Sequence, residues 1–348
     1  MNHKSNIHSR TGAMLLLVAA AFALLLNPPA LSAQEFLASQ IIQANFTQLA
    51  VFSTNQSETP PCMLAYEQGN GAVQMFLINH SPSIPVSSTG FALTISGPGV
   101  TGLTSIVPFS IFTSSGSTPF YFAYNSATGV IYTNQVDPAC KNSWTVSQTV
   151  VPAGLTHLMP FNFGGNPYLM AYNKAQAGVE FYQVGAGGVG LTALNSDSQG
   201  ALAAGFTSVQ PFTINNSPCF LAYDTTNGAV EFDQIVFVIG SGFQHNKTFI
   251  STWPAGITQV VTSPIDLQLL RYNAATGAVD FDSINSTGTQ FVQGKSESWA
   301  PGVTLIAPFY FEESDDGSGS GIRIPGFVPY FAKQAGSVPA GEAQVWLF

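Results

Sequence analysis

The sequence predicts an all-β protein, a six-bladed β-propeller built from four-stranded antiparallel blades. Three observations lead to this prediction. A segment ending in tyrosine recurs six times, each copy divides into four strand-like pieces, and no helical periodicity follows residue 33. Equivalent tyrosines lie from 48 residues (Tyr124 to Tyr172) to 58 residues (Tyr66 to Tyr124) apart. Repeats of this length are typical of propeller blades.

The first predicted strand of each copy begins at a threonine and continues as an apolar stretch. These strands are 47–52, 104–109, 156–161, 207–212, 258–264 and 304–309. The second strand ends at the recurrent tyrosine, the equivalent residues being Tyr66, Tyr124, Tyr172, Tyr223, Tyr272 and Tyr330. A turn such as Asn125–Gly129 follows, because Asn bonds to its own backbone and Gly accepts positive φ.

The third strand alternates apolar and polar residues, as in Gly178–Tyr182, which places Val179 and Phe181 on one face. The fourth strand is the least regular, and the tryptophans Trp144, Trp253 and Trp299 lie in or just after it. The sixth copy ends after three strands. We expect residues 35–43 to supply its fourth strand, which would close the ring and cover an exposed sheet edge.

Residues 1–33 resemble a secretory signal peptide, which leaves residues 34–348 as one propeller domain. Lys4 and Arg10 precede the uncharged apolar run Met14–Leu26, and the small residues Ser32 and Ala33 follow. A retained membrane anchor is the alternative, but the run is shorter than the roughly 20 residues that span a bilayer. We therefore expect a secreted or periplasmic protein without stable membrane insertion after cleavage.

The charge balance argues against nucleic acid as a partner. Without the leader, 7 Lys and Arg remain against 18 Asp and Glu, a net charge of −11. Such a chain is repelled by phosphate backbones. Charged residues make up only 8% of the sequence, so we expect hydrogen bonds and aromatic rings to dominate recognition.

The three cysteines match neither a disulfide framework nor a metal motif. Cys62 and Cys219 hold the same place in copies one and four, on opposite sides of a ring of six, too far apart to bond. A bridge between Cys62 and Cys140 of neighbouring copies stays open, but the sequence favours buried, unpaired thiols.

The sequence contains no recognisable catalytic or cofactor motif, and it favours a binding protein over an enzyme. His80, His157 and His245 lie in different repeats without a partner nearby in sequence. The acidic loop Glu312–Gly321 is a candidate for calcium binding, and a linker within the last blade is the favoured alternative. No other cofactor is expected.

Three carboxylates, Glu180, Glu231 and Asp280, recur at one place in the third strands, with Asp233 and Asp282 two residues after the latter two. Paired acids can hydrolyse glycosides, but acids repeated once per blade form a ring rather than a pair. They are candidates for ligand binding, while the favoured alternative is the solvated face of an alternating strand.

The tryptophans Trp144, Trp253 and Trp299 are the other candidate ligand-binding residues. Sugars present apolar faces ringed by hydroxyl groups, which aromatic rings and nearby donors recognise. The alternative is that these rings, like most of the recurrent tyrosines, pack blade against blade.

The repeat, best represented by 167–182 (PYLMAYNKAQAGVEFY), resembles the blades of lectin-type propellers, namely the tachylectin-like and fungal fucose-binding groups. The resemblance covers residues 35–348 as architecture. It implies multivalent glycan binding in pockets between adjacent blades, but it assigns no individual sugar-contacting residue.

Two other functions remain open because propellers host unrelated activities. One is an extracellular protein-interaction or structural scaffold. The other is a hydrolase or lyase over the central tunnel. Arg271 replaces the alanine found before most of the recurrent tyrosines and is the best candidate for a residue that breaks the symmetry, although a single exposed arginine is the favoured interpretation.

Overall fold

The computed structural model describes residues 35–52, 60–79, 90–113, 116–196, 202–313, 322–333 and 337–347. Within these ranges the chain forms 24 β-strands and one short 3₁₀ turn, Ala186–Gly188. The leader at 1–33 and His80 lie outside the described residues, as does most of the acidic loop proposed for calcium.

The strands form six blades. Blade 1 contains β2 (Gln48–Phe52), β3 (Cys62–Tyr66), β4 (Ala72–Asn79) and β5 (Gly90–Pro98). Blade 2 contains β6 (Ser105–Thr113), β7 (Gly116–Asn125), β8 (Val130–Val136) and β9 (Ser143–Val150). Blade 3 contains β10 (His157–Phe163), β11 (Asn166–Asn173), β12 (Gly178–Val184) and β13 (Leu191–Ser196). Blade 4 contains β14 (Ser208–Ile214), β15 (Ser217–Tyr223), β16 (Ala229–Val238) and β17 (Gly242–Thr252). Blade 5 contains β18 (Gln259–Thr262), β19 (Gln268–Tyr272), β20 (Ala278–Ile284) and β21 (Phe291–Ser298). Blade 6 contains β22 (Leu305–Glu313), β23 (Ile322–Phe331), β24 (Glu342–Leu347) and β1 (Glu35–Ile41).

Every blade is an antiparallel sheet whose strands pair in chain order, apart from the closing strand of blade 6. The first strands line the centre, and each contacts the first strands of both neighbouring blades, from β2 through β6, β10, β14 and β18 to β22 and back to β2. This arrangement is a closed six-bladed β-propeller, which confirms the predicted fold class.

The N-terminal strand closes the ring as the sequence predicts. β1 pairs antiparallel with β24, from Glu35 opposite Leu347 to Ile41 opposite Glu342. The sheet order β1-β24-β23-β22 therefore joins the first described strand to three strands from the other end of the chain. Pairing with β1 protects β24 from becoming an open sheet edge.

The hydrophobic core lies between the blades. The buried apolar residues form six clusters, and each cluster combines side chains from two neighbouring blades. The largest fully buried side chains include all six recurrent tyrosines. Each blade therefore depends on its neighbours for burial of its apolar faces.

The recurrent tyrosine fastens its blade to the segment that leads into the next one. The Tyr66 hydroxyl donates to the Val100 carbonyl at 2.8 Å and accepts the Leu103 amide at 3.0 Å. Tyr124, Tyr272 and Tyr330 repeat both bonds, and Tyr223 repeats the donated one, to the Pro254 carbonyl at 3.0 Å. Burial raises the pKa of each of these hydroxyls, which keeps them protonated as donors. The tyrosine recurs because it supplies both packing area and this paired bond.

The turn between second and third strands requires glycine in several blades. Gly129 has φ of 73°, and a Cβ there would lie 2.2 Å from the Val151 carbonyl oxygen. Gly228 and Gly277 face the Trp253 and Trp299 carbonyls in the same way. The glycines predicted as turn residues thus also permit the close approach of the outgoing segment.

The structure corrects the expectation for two cysteines. Cys62 and Cys140 form a disulfide, with their Cα atoms 5.8 Å apart. Cys62 is the first residue of β3, and the turn between β8 and β9 of the neighbouring blade places Cys140 beside it. The prediction of unpaired thiols is therefore wrong for this pair. Cys219 is free and buried, and burial raises its pKa to about 11.

Candidate ligand-binding cleft between blades 1 and 2

Each connection between blades places one residue at the gap between them, which we call the plug position. In five of the six connections its backbone N–H bonds to the carbonyl of the turn residue before the third strand, as Gly99 does to Gly71 at 2.7 Å and Trp253 does to Gly228 at 2.8 Å. It also lies three residues before a residue with positive φ. The plug residues are Gly99, Val151, Leu202, Trp253, Trp299 and Ile42, in the order of the junctions 1/2 to 6/1.

Where the plug residue has a side chain, that side chain packs into the apolar cluster of its junction. Val151, Leu202, Trp253 and Trp299 are buried in the clusters between their blades, and Ile42 packs against the cluster of junction 6/1. At junction 1/2 the plug residue is Gly99, which has no side chain. This junction holds a cleft of about 300 Å³.

Blade 1 provides one wall of the cleft and blade 2 the other. Gly97, Pro98, Gly99 and Val100 line the first wall, together with the ring of Tyr66. The second wall consists of Tyr121, Ala123, Tyr132, Asn134 and the segment 142–145. The lining contains no charged side chain, so the cleft suits a neutral ligand.

Polar groups and aromatic rings alternate on the blade 2 wall. Asn134 is buried, and its Oδ1 accepts the Thr145 hydroxyl at 2.7 Å. The Tyr121 hydroxyl lies 3.5 Å from Ser143 Oγ, and burial raises its pKa. Trp144 stands at the rim with 43% of its surface exposed. An indole face beside fixed amide and hydroxyl groups can stack on an apolar face and bond to hydroxyls around it.

The same space is closed at junction 4/5 by a buried ionic cluster. Arg271 stands where blade 2 has Ala123, and Asp282 where it has Asn134. The Arg271 guanidinium bonds to Asp282 at 2.6 and 2.7 Å and lies 4.9 Å from the centre of the Trp253 ring. The interpretation of Arg271 as an exposed arginine is wrong, because it is buried.

Asp282 is held by more than its arginine. Its Oδ1 accepts the Gly294 amide at 2.9 Å. Burial raises the pKa of this carboxyl above its ordinary value, while the Gly294 bond and Arg271 oppose that rise. The cluster is thus a filled, internally bonded counterpart of the open cleft.

The three candidate carboxylates lie in three different blades and do not converge. Glu180 accepts the Tyr182 hydroxyl. Glu231 is buried and pairs with Lys247 at 2.6 Å. Asp280 accepts Ser296 Oγ at 2.6 Å and lies 3.2 Å from Arg271. Each carboxylate is engaged within its own blade, and a role in ligand binding stays a prediction.

The three candidate tryptophans separate into two groups. Trp144 lines the cleft. Trp253 and Trp299 are buried plug residues, Trp299 stacking on Trp346 with ring centres 5.5 Å apart. Their surroundings match the packing role weighed as the alternative from the sequence.

The central channel encloses about 440 Å³ between the six first strands. His157 is the one basic side chain among the residues that line it, and its Nε2 lies 3.1 Å from the Thr207 carbonyl oxygen. His245 is buried beside Phe220.

Across the described ranges, no group of three His, Cys, Asp or Glu side chains is placed to hold a metal ion. No helix among these residues has the length and apolar character needed to cross a membrane.

Sequence reasoning missed the cleft itself, although a signal was present. Aligning the segments that precede each first strand places Gly99 opposite Val151, Leu202, Trp253 and Trp299. The missing side chain at one of six equivalent positions coincides with the cleft at junction 1/2.

Comparison with known proteins shows the fold and nothing narrower. No protein-family model matches the chain, and no curated protein matches it. An arginine-to-alanine triple mutant of AofleA from Arthrobotrys oligospora is 11% identical, with a TM-score of 0.54 over 90% of this chain and 92% of that one. A functionally unknown protein from Desulfotomaculum acetoxidans is 9% identical, with a TM-score of 0.51 over 87% of this chain and 90% of that one. The chain is therefore similar to these two proteins in fold, that of a β-propeller.

Proposed function

We propose that this protein binds a neutral carbohydrate in the cleft between blades 1 and 2. The observation that carries the proposal is the glycine at the plug position of this junction, since every other plug position holds a side chain. The volume of about 300 Å³ is at the lower end of the range for small-ligand sites and suits one or two sugar rings.

The chemistry of the walls supports a sugar over a charged metabolite. A buried carboxylate or phosphate would need a cationic partner, and the lining has none. Sugars need ring faces and uncharged donors and acceptors, which Trp144, Tyr132 and Asn134 supply.

The resemblance to lectin propellers implies repeated sites, whereas the plug residues favour one principal site. A single cleft binds without the gain in avidity that several sites would give on a crowded surface. We place the protein outside the cytoplasm, as the leader sequence suggests, and the Cys62–Cys140 disulfide supports that compartment.

A glycan array tests the proposal, with two variants and one matched control. Trp144→Ala removes the ring at the rim. Gly97→Phe adds a side chain to the wall at a position where a Cβ would meet nothing within 4 Å. Val292→Ala is the control, because Val292 holds the place of Trp144 in blade 5 and is also 43% exposed.

We expect the protein and the Val292→Ala variant to bind a related set of glycans, and both cleft variants to lose that binding while melting cooperatively. A blank array from folded protein would reject the proposal. Glycan binding that persists in both cleft variants would show that the binding site is not in this cleft.

A second candidate function, docking of a protein partner, is favoured by one hairpin. The β16–β17 hairpin of blade 4 carries Phe237, Val238 and Ile239 at its tip, and Ile239 is 93% exposed. Adjacent exposed apolar residues often mark interaction surfaces. Ile239→Ser would weaken a protein partner's binding and leave glycan binding unchanged.

A further inference from the structure

The second structural peculiarity of junction 1/2 is its disulfide. Resting on the proposed function, we propose that the Cys62–Cys140 bond positions the wall segment 142–145 and thereby sets the affinity of the cleft. Cys140 lies two residues before Asn142 and four before Trp144. The bond ties this part of blade 2 to β3 of blade 1.

The turn at Cys140 transmits the position of the disulfide to the wall. The Cys140 amide donates to the Asp137 carbonyl at 2.7 Å, and the Asp137 amide donates to the Asn142 carbonyl at 2.9 Å. The Ala139 amide also bonds to the Asp137 carboxylate at 2.9 Å. These bonds make the turn a compact unit, so fixing Cys140 fixes Asn142 and the strand that begins after it.

A second contact holds the same residue from blade 1. Thr94 on β5 donates its hydroxyl to the Cys140 carbonyl at 2.6 Å. Equivalent bonds exist elsewhere, from Ser147 to the Gly188 carbonyl and from Thr248 to the Gly288 carbonyl. Cys140 is therefore the counterpart of Gly188 in blade 3 and Gly288 in blade 5.

That counterpart position explains why a cysteine here is unusual. Cys140, Gly188 and Gly288 have φ of 59°, 80° and 68°, the left-handed region that favours glycine. A Cβ on Gly188 would meet Phe120 at 2.8 Å, and Phe120 holds in blade 2 the place of Cys62 in blade 1. The chain accepts a strained cysteine at the junction where its side chain bonds covalently to the facing residue.

Cys219 offers a comparison within the same chain that supports this role of the disulfide. It holds the place of Cys62 in blade 4, but the facing residue of blade 5 is Gly288, and Cys219 stays free. At junction 4/5, Trp253 and Arg271 occupy the space that corresponds to the cleft, whereas junction 1/2 has no plug side chain. The disulfide thus fixes the two walls where side-chain packing is absent.

The test compares the protein with the double variant Cys62→Ala, Cys140→Gly, which gives the turn the residue used in other blades. Hydrogen exchange is measured for 137–145, with 285–294 of blade 5 as the internal control. Affinity is measured for the best glycan from the array. We expect exchange in 137–145 to rise at least on the order of tenfold, no change in 285–294, and an affinity loss on the order of tenfold.

The inference would be overturned if hydrogen exchange in 137–145 were the same in the protein and the double variant, or if it rose equally in 137–145 and 285–294. It would also be overturned if exchange rose in 137–145 alone and the affinity for the glycan did not change. If the double variant does not fold, Thr94→Val removes one tie and keeps the disulfide, and a selective rise in 137–145 is again expected. A blank array would reject the proposed function, and the exchange comparison would still decide whether the disulfide positions the wall.

Discussion

His157 occupies in blade 3 the place that Gln48 and Gln259 hold in blades 1 and 5. All three side chains reach the threonine carbonyl of the following blade: Gln48 to Thr104 at 3.2 Å, His157 to Thr207 at 3.1 Å and Gln259 to Thr304 at 3.1 Å. Since a carbonyl only accepts, the neutral imidazole donates from Nε2. These contacts tie the blades in pairs around the channel.

The protonation of His157 should make stability depend on pH. Burial lowers its pKa to about 4, from 6.5, and nearby Lys174 acts in the same direction, while the bond to Thr207 opposes them. Between pH 6.5 and 4 the unfolded chain binds a proton that the native state refuses, so the free energy of unfolding falls as pH falls through this range. The two pKa values correspond to at most about 3 kcal/mol.

The control is His157→Gln, which copies blades 1 and 5 and keeps a donor for the Thr207 carbonyl. Urea unfolding of both proteins from pH 7 to 4 isolates the histidine, because other titrating groups cancel in the difference. Parallel curves would show that His157 does not titrate in this way.

Arg271 provides a second prediction at this scale. Arg271→Ala leaves the buried Asp282 without its cation and should cost about 3–5 kcal/mol of unfolding free energy. Adding Asp282→Asn restores the pair that blade 2 uses, Ala123 with Asn134, and should recover part of the loss. Urea denaturation measures both. A double variant no more stable than Arg271→Ala would mean that the unpaired charge is not the cause.

Arg271 and Cys140 also show what the sequence leaves undetermined about single residues. Their partners, Asp282 and Cys62, are recognisable only after the strand register and the neighbouring blade are known. An arginine in an apolar strand is therefore interpreted as exposed until its ion pair is visible. The packing role of the recurrent tyrosines was easier to predict from the sequence, because their surroundings are the same at every junction.

The connecting segments are the elements on which the junctions depend. Trp299 packs against Tyr272, Phe281 and Trp346, within blade 5 and across to blade 6. Trp299→Ala should leave a cavity and cost about 3–5 kcal/mol of unfolding free energy. Trp144→Ala, at an exposed rim, should change stability by no more than about 0.5 kcal/mol. Similar losses for both in urea unfolding would contradict the distinction between plug and rim.

Most elements were predictable because their signals are local. Alternation in the third strands and the turns that lead from Asn or Asp to Gly, such as Asn125–Gly129, determine hairpins within each blade. The cleft was harder to predict from the sequence. It results from the missing side chain at Gly99, which is informative only when Gly99 is compared with the other five plug residues. The sequence suggested all three tryptophans as ligand-binding residues. In the structure Trp144 is exposed at the cleft, whereas Trp253 and Trp299 are buried.

The molecule as a whole depends on β1. Deleting residues 35–43 removes the outer strand of blade 6, the Ile42 plug and the Gln43 carbonyl that accepts the Tyr330 hydroxyl at 2.8 Å. We expect this deletion to abolish cooperative thermal unfolding. A cooperative melt at an unchanged temperature would show that β1 is dispensable. The closure was predictable, since a copy with three strands and an unassigned N-terminal strand can complete each other.

The β1 pairing with β24 also has a consequence in time. Glu35 is made early, and its partner Leu347 comes 312 positions later. At the usual pace of synthesis, the wait is roughly 15 to 60 s. Of the described strands, β1 is synthesised first and is the last to find its neighbour, and until then the open strand edges of the unfinished ring can pair with another chain. The growing polypeptide therefore needs protection from pairing with other chains until β24 has been synthesised.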